Sequence, residues 1–249
     1  MRIKELYLKH AVQPIIRQQV LNLIEAVPAE RAAALFLDTG AIIDFERKLN
    51  TLRTKTLVSR ETLASSFYDE LLHRVPLTFV TEPVLKEVIR HHHANHRNGN
   101  PEISHASSHF ACLFYSNYCD FQKSHSCTKD VEKIRYDTYW AGTFAFDNHH
   151  KKCYDDRISF TDRDLIASAV AARYSGELDA VYIVSPDSHH HRTVEVLSDR
   201  RSIRDNLESV LAHRSAHRAC DNLQEFKNGS LQFHYNNVYV IDSKGKEHG

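Results

Sequence analysis

Four carboxylates of this chain lie at or beside separate apolar runs. Asp38 closes Ala33-Ala34-Leu35-Phe36-Leu37 and is followed by Thr39-Gly40-Ala41. Glu87 sits in Val84-Leu85-Lys86-Glu87-Val88, and Asp162, with Asp164 close by, in Ile158-Ser159-Phe160-Thr161-Asp162-Arg163-Asp164-Leu165-Ile166-Ala167. Asp187 follows Val181-Tyr182-Ile183-Val184-Ser185-Pro186. Carboxylates delivered from the ends of separate elements can share one cleft. Magnesium and manganese are hard cations that take such oxygen ligands and keep positions open for water and phosphate. Each acid also has a plain structural role. An Asp after a strand caps the next turn or helix, Asp162 suits a cap before a helix starting near Arg163, Asp164 suits its first turn, and Glu87 suits a solvated helix face. The chemical reading rests on the four together, at corresponding ends of elements in one α/β order.

The elements that must carry these acids follow from periodicity. Ile15, Ile16, Val20, Leu21 and Ile24 fall at helical spacing, so a helix is expected from about Pro14 to Ala26, stopped by Pro28. Ala34 to Leu37 is a buried strand, Thr39-Gly40 a turn, and Ile42, Ile43, Phe45 and Leu49 a helix face. A helix over Arg60 to Leu72 and a strand at Leu77 to Val80 come next, then Thr81-Glu82-Pro83 as a helix start with Thr81 as its cap. Leu165 to Ala172 is helical, Val181 to Ser185 a strand, and Val194 to Ala219 helical. Leu231 to Tyr235 and Val238 to Ile241, around Asn236-Asn237, predict a hairpin. Strands alternating with helices predict an α/β fold, a three-layer α/β/α sandwich on a central parallel sheet, with ligands beyond the carboxyl ends of the strands.

Three parts are expected: a helical extension over 1–30, an α/β domain over 31–200 that carries the four acids, and a C-terminal helix and hairpin over 201–249 packed on the same core. The segment 91–157, rich in His, Cys and aromatics, has no strand-helix rhythm and is expected as an insertion.

Composition narrows the partners. The 32 Lys+Arg balance 32 Asp+Glu, so an anionic polymer must be held by a local basic patch rather than by the whole molecule's field. Arg90, His92 and Arg97 follow Glu87, and His189, His190, His191 and Arg192 follow Asp187; both sets are candidate nucleic-acid contacts. Phe110, Phe114, Tyr115, Tyr118, Tyr136, Tyr139 and Trp140 either stack on bases or form a small core of their own. Charges throughout the first 30 residues argue against a signal peptide, and no run reaches the ~18 apolar residues of a membrane span. Five cysteines in a chain large enough to need no staples fit reduced thiols and a cytoplasmic setting. The His/Cys segment lacks the close cysteine pairs of structural zinc sites. Asp38-Thr39-Gly40 also fits an aspartic-protease loop, but none of the seven glycines follows two aliphatics as that fold requires. Gly40 occupies the place where a haloacid-dehalogenase phosphatase has its second Asp.

The acidic segments resemble those of PIN-domain nucleases over roughly Leu35 to Leu197, apart from 91–157. Leu37-Asp38-Thr39-Gly40 is similar to that family's first strand and its Asp, and Thr81 to Val88 to the segment whose Glu is the second ligand, which gives Glu87 ahead of Glu82. Ile158 to Asp162, leading into Leu165-Ile166-Ala167-Ser168-Ala169, puts the third acid on Asp162 with Asp164 as auxiliary. Val184-Ser185-Pro186-Asp187 is similar to a strand-hydroxyl-x-Asp motif, with Ser185 as a positioning hydroxyl and Asp187 as the fourth acid. His189 stands where many members have another Asp. The resemblance implies a PIN-like endoribonuclease with magnesium or manganese on Asp38, Glu87, Asp162 and Asp187, acting on RNA ahead of DNA, without a membrane and with a homodimer or a regulatory protein as further partner. The alternative is a nucleic-acid-binding scaffold with a degenerate acidic site.

Overall fold

The computed structural model describes residues 7–27, 32–56, 58–94, 102–125, 134, 137–138, 159–174, 178–198 and 235–246. Its centre is set by two unbroken apolar runs. Ala33–Leu37 (β1) and Ala180–Val184 (β3) are buried at every residue except the half-buried Ala33. Unbroken runs of this kind belong to parallel strands covered on both faces. They pair in parallel from Ala33↔Ala180 to Leu37↔Val184. The short β2 (Thr78–Phe79) lies outside β1 and β4 (Val238–Ile241) outside β3, so the all-parallel order is β2-β1-β3-β4. After β1 the chain moves outward to β2 and then returns to the opposite side of β1. The carboxyl ends of β1 and β3 therefore form a topological switch point.

Helices cover this sheet. Gln13–Leu23 (α1), entered through a π-helical turn at Leu8–Val12, buries Ile16, Val20 and Leu23. Thr39–Thr56 (α2), Arg60–Arg74 (α3), Glu82–Ala94 (α4), His105–His125 (α5), Phe160–Tyr174 (α6) and Ser188–Ser198 (α7) follow. α5 packs on β2, α6 on β3 and α7 on β4, consistent with a three-layer α/β/α arrangement. α6 is buried from Asp164 to Ala172. Among the described residues no helix is long and apolar enough to cross a membrane.

Four local expectations change. First, residues 105–125 belong to the main core: Phe110, Ala111, Phe114, Tyr118 and Phe121 line one buried helix face. Tyr118 lies 5.4 Å from Phe36 and 5.7 Å from Phe79, and Phe110 stacks on Tyr68 at 5.3 Å, contacts worth about 0.5–1.5 kcal/mol each beyond burial. These rings are closed to nucleobases; Tyr136, Tyr139 and Trp140 lie outside the described residues. Second, Val238–Ile241 pairs with β3 as an integral strand, and Asn237 (φ +62°) turns the chain into it. Of the expected first hairpin arm, 231–234 lie outside the described residues, and the Tyr235 N–H donates to Leu197 O rather than to β4. Third, Thr39-Gly40 is no turn, because α2 begins at Thr39. Fourth, Thr81 does not cap α4 with its side chain: its buried hydroxyl has no hydrogen-bond partner, although its carbonyl accepts from Leu85 N–H.

A buried carboxylate fastens α5 to the rest. Glu46 of α2 is 1% exposed and accepts from Arg60 Nε at 2.6 Å, from Ser104 N–H at 2.8 Å, and from the Ser104 and Ser107 hydroxyls. Arg60 also donates to Glu102 O. Exposed Glu61 accepts from the His105 and Ala106 amides, where an anion complements the free N–H groups of a helix start. Glu46→Ala removes the carboxylate that pairs with Arg60 and accepts from two hydroxyls, so a loss of about 3 kcal/mol is expected in denaturant melts. Glu61→Ala, acting at the surface, should cost about 1 kcal/mol or less. Equal losses in the two variants would refute Glu46 as the fastening point.

Candidate metal centre

Asp38 leaves β1 and immediately caps α2. Its Oδ2 accepts from Gly40 N–H at 3.3 Å, its carbonyl accepts from Ile42 N–H at 3.2 Å, and its own N–H donates to Val184 O at 3.0 Å. Gly40 is required by space: a Cβ there would stand 2.9 Å from Pro186 Cγ and 3.1 Å from Asp38 Oδ2. With no side chain at 40, the loop after β3 closes over the start of α2. That closure puts the Ser185 hydroxyl 3.0 Å from Asp38 Oδ2.

Asp162 arrives from a capping box at the start of α6. Ser159 Oγ accepts from Asp162 N–H at 3.1 Å, and Asp162 Oδ2 accepts from Ser159 N–H at 3.3 Å. The other oxygen, Oδ1, faces His190 Nε2 at 3.3 Å. His190 comes from the first turn of α7 and is 1% exposed. Its Nδ1 lies 2.8 Å from Ser185 Oγ. Ser185 has one proton; with Asp38 ionised that proton goes to Asp38, so Nδ1 of His190 must be the donor to Ser185. Nε2 is buried and faces Asp162 Oδ1 without hydrogen-bond alignment. Asp38, Asp162 and His190 each offer one ligand atom, all within 4.8 Å of one another, and such a group can hold a metal ion. Among the described residues no other trio of His, Cys, Asp or Glu meets this condition.

Burial governs the charges. It pushes Asp38 above the usual carboxylate range despite the nearby His190. Burial also acts to raise Asp162, but the neighbouring imidazole and Ser159 bring it below that range. His190, which burial alone would lower, is raised by Asp162, Asp38 and Asp187.

The remaining predicted residues are placed as follows. Glu87, on α4, is outside the trio but accepts from the Thr39 hydroxyl at 3.0 Å and the Thr161 hydroxyl at 2.7 Å. Asp187 caps α7: its Oδ1 accepts from His189 N–H at 2.9 Å, its carbonyl accepts from His190 N–H at 3.2 Å, and Oδ1 lies 3.2 Å from His189 Nδ1. Its N–H donates to Ser185 Oγ at 3.1 Å. Asp164 is buried outside the trio, and its charge reaches Tyr115 on α5. Arg90 and Arg192 are exposed, His92 lies 3.0 Å from Ile103 O through Nδ1, and Arg97 lies outside the described residues. The member of the trio absent from the predicted metal ligands is His190, which its burial also removes from the candidate nucleic-acid contacts. Its signal was present, since His190, Thr193, Val194 and Leu197 repeat at helical spacing on one buried face, which separates it from His189 and His191.

The shifts make metal-free stability depend on pH. A raised His190 contributes stability that is complete below about 6.5 and is lost as pH climbs through its higher folded value. Raised Asp38 also removes stability as pH climbs above 3.8, whereas lowered Asp162 contributes above 3.8 and loses its share as pH falls. The expected result is a melting temperature that declines as pH rises above about 6.5 in chelator-treated protein, with a flatter slope in His190→Gln. Identical slopes in the two proteins would refute the coupling.

Compared with known proteins, the chain matches no family model, no curated protein and no solved structure.

Proposed function

We propose that this chain is a metal-dependent nuclease of PIN-like type, hydrolysing RNA phosphodiesters at the cluster beyond β1 and β3. The observation that carries the reading is the convergence of Asp38 and Asp162, from distant parts of the sequence, on a buried imidazole at the switch point of a parallel sheet. The residues fit a divalent ion, because they combine two carboxylates with a buried ring nitrogen that faces Asp162 Oδ1 at 3.3 Å without hydrogen-bond alignment. A bound magnesium or manganese ion supplies positive charge for a phosphate oxygen and lowers the pKa of a water.

The chain's own residues orient and admit. Ser185 fixes the rotation of both Asp38 and His190, and Glu87 holds Thr39 and Thr161 beside the two acids. Phe160 is 60% exposed two positions before Asp162 and offers a face on which an unpaired base can stack. Exposed Arg90 and Arg192 offer charge to phosphates in a chain of zero formal net charge. Single-stranded RNA suits these features better than duplex DNA, since an unpaired base exposes its ring to stacking.

Asp187 favours the second reading, a non-catalytic nucleic-acid-binding scaffold, because its carboxylate caps α7 outside the trio. One experiment separates the two. Asp38→Asn and Asp162→Asn keep cap-forming side chains, so both should retain the wild-type circular dichroism. Each should lower manganese- or magnesium-dependent RNA cleavage by more than about a hundredfold, beyond the effect of losing an outer-shell partner. Equal cleavage by wild type and both variants would sink the nuclease assignment, and wild-type RNA binding without cleavage would establish the scaffold.

A further inference from the structure

We infer that the cluster is a mixed nitrogen-oxygen site, with Nε2 of His190 bound to the ion beside Asp38 and Asp162, and that it takes a transition-metal dication such as manganese in preference to magnesium. This rests on the metal-centre reading above and names its ligands and ion class.

Three observations support it. The ring is 1% exposed, and its Nε2 lies 3.3 Å from Asp162 Oδ1 without hydrogen-bond alignment. In the metal-free protein the protonated ring faces Asp162 there as an ion pair, and a cation bound at the same place takes over that charge as Nε2 releases its proton. The other ring nitrogen is committed at 2.8 Å to Ser185, whose hydroxyl is also bonded to Asp38. A metal-bound histidine is held in this way, its second nitrogen donating to a fixed acceptor that sets tautomer and ring orientation. Finally, the donors are unlike those magnesium favours. Magnesium demands oxygen octahedra, dehydrates reluctantly and keeps several waters, whereas Asp38 is 7% exposed and one of the three donors is an imidazole. Imidazole suits the transition metals, and carboxylates admit manganese among them.

Asp187 does not compete for this place, because it caps α7 outside the trio. His190, three residues further on, takes the inward position that the sequence pattern had assigned to an acid.

The test uses tag-free, chelator-treated full-length protein titrated with manganese(II) and followed by electron paramagnetic resonance. Wild type should bind manganese at least about tenfold tighter than magnesium in competition, and pulsed spectra should show nitrogen coupling to the bound ion. His190→Gln should lose that coupling and weaken manganese binding by about tenfold or more. Asp38→Asn and Asp162→Asn, which keep their helix caps, should weaken manganese binding likewise and so locate the coupled ion at this cluster even if His190→Gln fails to fold. Bound manganese without nitrogen coupling, accompanied by metal-dependent cleavage, would overturn the histidine ligand and leave the nuclease reading standing. Failure of wild type to bind either ion would overturn both.

Discussion

The Ser185 hydroxyl is the contact through which the centre of the molecule is organised. It stands at the end of β3, donates to Asp38 at the end of β1, and accepts from Asp187 N–H and, with Asp38 ionised, from His190 Nδ1. One atom thus joins two strand ends and a helix start. It holds this position because β1 and β3 run in register to Leu37↔Val184 and because Gly40 leaves room for Pro186. A side chain at 40 would push the loop and Asp38 apart. The strand pairing thereby sets the spacing of the ligand atoms.

Helix capping decides which acids remain available. Asp38, Asp162 and Asp187 all stand at helix starts, where carboxylates bind free amides and complement the helix dipole. Capping fixes each side chain's direction without consuming every lone pair. Asp162 caps with Oδ2 and turns Oδ1 to His190. Asp187 uses Oδ1 for the cap and for His189, so its charge reaches His190 only from a distance. The structural and chemical roles of an acid after a strand are therefore compatible; orientation separates one acid from another.

Much of this was legible in the residues. β1 and β3 are unbroken apolar runs, and Asp38 and Ser185 follow them at their carboxyl ends while Asp162 stands in the first turn of α6. The aromatic face of α5 was equally present at Phe110, Phe114, Tyr118 and Phe121, but its surrounding His, Ser and Asn residues obscured a helical period. Other features depend on contacts between distant segments. Val238–Ile241 carries a strand signal, yet local sequence cannot specify whether its partner is a neighbouring run or β3, and Asn236-Asn237 pointed to a hairpin. Glu46 falls on the helical period of Ile42 and Leu49, yet the sequence cannot name its partners, because Arg60, Ser104 and Ser107 come from other elements.

Glu87 shows how a residue expected in one role can serve the same site in another. Its two oxygens accept from Thr39 and Thr161, which precede Gly40 on α2 and Asp162 on α6. Thr39 follows Asp38 directly, so each hydroxyl lies one residue from a carboxylate of the trio. α4 therefore acts as a bracket between the two helix starts. A shift of α4 would move both hydroxyls together, and with them the caps that aim the carboxylates. The distance between Asp38 and Asp162 is set on one side by Ser185 and His190 and on the other by Glu87. A cluster constrained from both sides holds its carboxylates close despite their repulsion, and a cation relieves that repulsion.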